Sequence, residues 1–235
     1  MALLLTFAAG CVDIVGFLTL YHTFTAHMTG ATVHLGQDLL QEHWGDAANA
    51  GCVIATFLLG SILGRTFIEV GARRHVRSVA SATLLLEAAL IAAVAPLAAD
   101  PSHPVPIVAL LAMLAAAMGL QTATLTRVGA LTVHTTFVTG MLNKLAQLLS
   151  HALFLVYDQL RGREISADRR QVYRRAALMS GIWALYLTGA VIGTWMTSSW
   201  GPRSLLLPAC VVATVIVVDQ VLPLSLEEER DQSER

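Results

Sequence analysis

The chain has 235 residues, 55% of them hydrophobic and only 13% charged, with a net charge of −1 and a mean hydropathy of +0.64. A soluble domain carries roughly 25% charged residues, so an ordinary water-soluble domain is excluded. The balanced charge also excludes a basic field for nucleic acid.

Uncharged or nearly uncharged blocks of 19 to 22 residues occur at 3–21, 47–68, 78–99, 105–126, 176–197 and 204–224. About 20 apolar residues cross the hydrocarbon core as a helix, and within lipid a helix satisfies its own backbone. Six blocks therefore predict an all-α integral membrane protein of six spans. The first block lacks a basic lead and a small-residue cleavage site, so it reads as a retained span and not a signal peptide. Cys11, Cys52 and Cys210 all lie inside apolar blocks. They read as packing residues, with neither metal-ligand spacing nor a disulfide framework.

Between the first and second blocks stands a polar phrase, His22 to Leu40, "HTFTAHMTGATVHLGQDLL"; between the fourth and fifth stands its likeness, Val133 to Leu149, "VHTTFVTGMLNKLAQLL". Basic residues near spans collect on the cytoplasmic side. The basic loops are 71–77 and 159–175, while 41–46 has acids alone and 198–203 only Arg203. Placing both basic loops inside puts 13 of the 15 Lys and Arg in the cytoplasm. The stretch 128–158 then begins and ends on the same side. Each phrase is therefore expected to be a re-entrant or broken helix, and both termini to be cytoplasmic. An eight-span threading would leave the whole 161–175 cluster outside.

The likeness extends beyond the phrases. Gly60-Ser-Ile-Leu-Gly64 answers Gly189-Ala-Val-Ile-Gly193, and Ala9-Gly10 answers Met118-Gly119. Residues 1–104 and 105–225 read as two inverted three-helix repeats, with re-entrant phrases at 22–42 and 128–158 and a charged cytoplasmic tail at 226–235. Inverted repeats with interrupted helices are a transporter arrangement. The glycine motifs allow close helix crossing, within one chain or in a homo-oligomer.

Thr29 and Thr139 read as N-caps, with Gly30 and Gly140 permitting a sharp backbone change. Half-helices over 31–42 and 141–157 would then aim two N-termini at the bilayer midplane. Each has free N–H groups and partial positive charge, which suit an anion or a polar oxygen. His27, Gln37, Asn143 and Gln147 join these residues as candidate solute contacts, His27 also as a proton acceptor. Polar stripes run along both half-helices: His34, Asp38 and Gln41 on the first, and Asn143, Gln147 and His151 on the second. Lys144, aligned with His34, is a candidate buried charge. Carboxylates at membrane depth need partners: Asp13 and Glu87 are central, Asp13 as a partner of the Thr-Gly elements or a coupling group. Asp219 reads as snorkelling to the interface. The histidines of the first phrase fit no metal-ligand pattern, so no metal is expected.

No G-x-S-x-G, H-E-x-x-H, Walker loop or C-x-x-C occurs, so neither an enzyme nor a cofactor is expected. The segments "AAGCVDIVGFLTL…FTAHMTGATV" and "GLQTATLTRVGALTVHTTFVTGML" resemble the YoaK-like family of bacterial membrane proteins of unknown function, over about 3–224. The resemblance implies a bacterial inner-membrane protein of six or seven spans and carries no substrate. The family's first motif usually reads H-M-T-G-N-T; here Ala31 replaces the Asn. The expectation is a transporter or channel for a small polar or anionic solute, its partners being that solute or ion and the lipid bilayer. A non-transporting role in assembly or signalling is the alternative.

Overall fold

The computed structural model describes residues 1–20, 23–74, 79–102, 104–124, 138–161 and 169–221. His22, Arg127, the leading part of the second polar phrase (128–137) and the tail 226–235 lie outside the described residues. All regular structure among the described residues is helical: α1 (Ala2–Thr19), α2 (Met28–Leu40), α3 (Trp44–Arg73), α4 (Val79–Ala99), α5 (Ile107–Thr124), α6 (Val138–Leu160), α7 (Arg169–Trp200), a 3-10 turn (Gly201–Leu205) and α8 (Leu206–Val221). A helix falls on each of the six apolar blocks. Five stretches are long and apolar enough to cross a bilayer: Ala2–Thr19, Trp44–Gly71, Ala80–Ala99, Ile107–Thr124 and Arg170–Val221. The last combines α7, the turn and α8. Gly201 opens that turn with φ at +56°, a left-handed conformation that glycine adopts without a Cβ clash.

Helices α1 and α5 occupy the centre and are buried along most of their length. The largest apolar cluster joins Val12 and Val15 of α1, Val53 of α3, Ile91 and Val94 of α4, and Leu111, Leu114 and Met118 of α5. Around this centre the packing follows a regular exchange. Helix α1 lies against α7, and α5 against α3; α2 lies on α3, and α6 on α7; α4 covers α5, α8 covers α1, and α4 and α8 meet each other. The strongest packing thus runs between the chain's two halves.

Glycine makes both main crossings. A Cβ on Gly10 would strike the Tyr186 carbonyl oxygen of α7, and one on Gly189 the Phe7 carbonyl oxygen of α1. At the other crossing a Cβ on Gly119 would strike the Phe57 carbonyl oxygen of α3, and one on Gly60 the Ala116 carbonyl oxygen of α5. Backbone presses on backbone in both places, as small residues permit. The second glycine of each motif is also engaged: a Cβ on Gly64 would stand 2.8 Å from the Ala123 Cβ, and one on Gly193 2.6 Å from the Ile14 Cγ2. The motifs therefore serve packing inside the chain.

Helix α2 has 13 residues, about 20 Å at a rise of about 1.5 Å per residue, short of the roughly 30 Å hydrocarbon core. It folds back onto α3 through Gln41–His43, where Glu42 holds φ at +59°. Helix α6 has 23 residues but falls outside the apolar stretches. Both helices begin earlier than the expected half-helices. Thr29 and Thr139 sit in first turns and not at N-caps; His27 occupies the N-cap position of α2 and its side chain makes no capping bond. Threonine also occurs within α2, where the Thr32 hydroxyl bonds back to the Met28 carbonyl at 2.8 Å, so a threonine need not mark the helix boundary.

Candidate functional site

Asp13 lies past the Gly10 crossing on α1 and is 3% exposed. Four donors converge on its carboxyl group. Oδ1 accepts the Thr25 N–H at 3.0 Å, the Thr25 hydroxyl at 2.9 Å and the Ala26 N–H at 2.8 Å, while Oδ2 accepts the Tyr186 phenol of α7. A carboxylate is an acceptor-only group, and here both oxygens are used. Gly16, one turn on, leaves room for the Thr25 methyl, which would stand 3.0 Å from an added Cβ. The effect is a latch: one buried side chain ties the segment leading into α2 to α1 and to α7.

The start of α2 is built on rings. Phe17 stacks on Phe24 with centroids 4.5 Å apart, and Phe24 meets the edge of His27 at 5.7 Å. The His27 ring lies over Gly30, where a Cβ would come within 2.7 Å of Nδ1. Gly30 is thus matched to its neighbour's imidazole. Thr29, His27 and Gln37 are not covered by the rest of the chain, while Gly30 is half-buried.

On α6, Thr139, Asn143 and Gln147 are exposed; Gly140 and Lys144 are half-buried. Ala146, Gln147, Ser150, His151 and Phe154 line an open depression of about 640 Å³. The structure gathers the predicted residues into two groups, one on α2 and one on α6. Helices α2 and α6 share no extensive contact, each resting on a different long helix.

Glu87 and Gln121 form a different kind of polar feature. Both are wholly buried. The Gln121 amide donates to the Leu5 carbonyl at 2.6 Å, but its Oε1 and both carboxyl oxygens of Glu87 have no hydrogen-bond partner among the described residues. Asp219 is corrected: it does not snorkel but is 7% exposed and accepts a hydrogen bond from the Ser81 hydroxyl. Buried between α4 and α8, it gains more from that donor than from reaching toward water. The cysteines are free, and the Cys11 thiol donates to the Gly189 carbonyl at 3.1 Å. Asp38, His43 and Asp46 bring potential ligand atoms within 4.8 Å of one another at the α2–α3 corner. Acids at such a corner gather without metals, and nothing else there points to an ion.

Sequence reasoning missed Tyr186, Thr25, Gln121 and Ser81. A signal existed for the first: in the repeat register Tyr186 answers Phe57, so one half adds a hydroxyl where the other has none. Gln121 was equally visible, as a lone amide in an apolar block.

Apolar helices of membrane-crossing length, packed backbone to backbone with a buried carboxyl latch beside one crossing, define a helical transmembrane protein. The chain belongs to the family described as a protein of unknown function (DUF1275), which matches residues 1–218. It is 29% identical over 189 residues to the UPF0700 transmembrane protein YoaK of Bacillus subtilis (strain 168), covering 80% of this chain and 79% of that relative. No solved structure matches it. The resemblance seen in the motifs thus holds across nearly the whole sequence.

Proposed function

We propose that this protein is a six-span transporter or channel for a small polar or anionic solute, built as two inverted three-helix repeats. Both termini are cytoplasmic in this reading, in a bacterial inner membrane. The observation that carries it is the paired glycine crossing: Gly10 with Gly189, and Gly119 with Gly60. Two copies of one unit, each lending its first span to the other's second, fit a pseudo-twofold axis. An inverted repeat with interrupted helices is a recurrent transporter plan.

Helices α2 and α6 are the interrupted elements. α2 is too short to cross, and both begin at a Thr-Gly pair whose leading N–H groups and helix dipole suit an anion or a polar oxygen. His27, Thr29, Gly30 and Gln37 contribute from α2; Thr139, Gly140, Asn143, Lys144 and Gln147 contribute from α6. The count of six treats Arg170–Val221 as two passes. Its 52 residues would extend about 78 Å as one helix, more than twice the core thickness. The left-handed Gly201 supplies a turning point, and α8 packs on α1 and α4. No catalysis or cofactor enters this reading; its partners are lipid, the solute and, where α2 and α6 leave faces uncovered, a second copy.

The test is flux in proteoliposomes, using a panel of inorganic anions and small organic acids. Thr29→Val and Thr139→Val should each depress flux of the responding solute while thermal stability stays unchanged. Absence of flux across the panel, with folded protein verified, favours the assembly or signalling role.

A further inference from the structure

We propose that Glu87, which borders the same apolar cluster as Gln121, is an exchangeable proton site inside the bundle. It goes beyond the transport reading and stands on separate observations.

Glu87 lies between Leu84 and Ala88 on α4, and those two pack with Leu5 and Ala8 of α1 and Val212 and Val215 of α8. Leu5 is also the residue whose carbonyl takes the Gln121 amide. Both orphan groups thus border one apolar cluster. Together they present three buried acceptor atoms, Glu87 Oε1 and Oε2 and Gln121 Oε1, and no donor among the described residues reaches them. A buried acceptor without a donor is costly, and a bare carboxylate far more so.

The defect has a specific chemistry. Calcium takes six to eight oxygens, and magnesium demands an octahedral shell; two residues with three free oxygens provide neither. A proton needs only one. Bound to a Glu87 oxygen, it removes the charge and creates an O–H donor, for which Gln121 Oε1 is an acceptor lacking one. The step is a proton transfer: an O–H bond of hydronium breaks, its proton forms an O–H bond on a Glu87 oxygen, and neutral water leaves.

Few other groups compete. Helices α3, α5 and α8 and the 3-10 turn pack against α4, and α1 meets it through Leu5 and Ala8. α1 carries Cys11, bonded to the Gly189 carbonyl, and Asp13, held by Thr25, Ala26 and Tyr186. α5 carries no titratable side chain. α8 carries exposed Cys210 and Asp219, the latter already bonded to Ser81. The turn carries exposed Arg203, and α3 carries Asp46, Cys52, Arg65, Glu69 and Arg73, none of them buried. The Ser81–Asp219 pair stands about 9 Å along α4 from Glu87, at the end where α4 starts and α8 finishes.

The test is infrared spectroscopy of the full chain in phosphatidylcholine–phosphatidylglycerol vesicles, with hydrophobic carbodiimide labelling read by mass spectrometry. At neutral pH a protonated-carboxyl band should be present, shift in D₂O, and vanish in Glu87→Gln. Carbodiimide should modify Glu87 in the wild type and lose that adduct in the variant. Gln121→Leu, which removes the acceptor, should move the band to the frequency of a free carboxyl. If Glu87→Gln does not fold, the wild-type adduct and its D₂O shift decide the matter alone. A wild-type spectrum without the band overturns the proposal. So does a band that neither shifts in D₂O nor yields an adduct, because the proton is then locked in and not exchanged. Absence of solute flux leaves these readouts untouched, so the two readings can fail separately.

Discussion

The α1–α7 and α3–α5 crossings are built on the same glycines but surrounded differently. Around Gly10 and Gly189 stand Asp13, Tyr186, Thr25 and the Cys11 thiol, all bonded between segments. Around Gly119 and Gly60 the corresponding positions are Thr122, whose hydroxyl returns to its own helix at Met118 O, and Phe57, which has no hydroxyl. Close backbone approach is common to both halves; the buried carboxyl belongs to one. Packing is thus the repeated device, and the latch on α2 is an addition to it.

The largest effect should come from what the crossings share. Gly10→Val and Gly119→Val each drive a branched side chain into the facing backbone carbonyl, where no rotamer relieves the clash. Overpacking of this kind costs about 3 kcal/mol or more when backbone must move. Both variants should lower the detergent-solubilised unfolding midpoint by similar amounts. Gly36→Val, with nothing within 4 Å of an added Cβ, serves as the control. A crossing that accepts valine unchanged would mean that the two halves are not packed alike.

Next comes what separates them. Asp13→Ala leaves the Thr25 and Ala26 N–H groups buried without an acceptor, whereas the Thr25 hydroxyl and Tyr186 phenol can turn elsewhere. At about 1–3 kcal/mol for each unsatisfied donor, the loss is about 2–6 kcal/mol. Thr122→Ala takes away the bond to the Met118 carbonyl of its own helix and should cost less than Asp13→Ala, because it strands no pair of buried N–H groups. Hydrogen exchange resolves the difference locally: Thr25 and Ala26 should lose protection in Asp13→Ala, while α3 and α5 keep theirs. Equal effects at positions 13 and 122 would erase the distinction.

How much of this was legible depends on the length scale of the cause. The apolar blocks were visible because lipid imposes a simple solubility rule over about 20 residues, and each became a helix. The glycine motifs were visible as places of close approach, but their partners were not: Gly60 faces Ala116 and Gly189 faces Phe7. A small residue signals that something comes near without naming it. Asp13 could be recognised as needing a donor because burial makes that demand alone. Its donor Tyr186 is 173 positions away, and only the completed fold brings it close. The Thr-Gly pairs marked where α2 and α6 begin to within a turn. Whether their N-termini share a solute depends on tertiary placement, and α2 and α6 rest on different helices.

The smallest effect tests how the latch is divided among its donors. Tyr186→Phe makes α7 match α3 at this position, removing one hydroxyl and leaving the ring. A hydrogen bond to a charged group contributes about 1.5–3 kcal/mol. Tyr186 is only half-buried, which puts the expected loss at the lower end, below that of Asp13→Ala. In the Asp13→Ala background the same change should cost almost nothing further, because the phenol has already lost its acceptor. That non-additivity is the signature of a direct bond. Full additivity would place the contribution of Tyr186 in ring packing, and the phenol would then play no part in holding α7 to the latch.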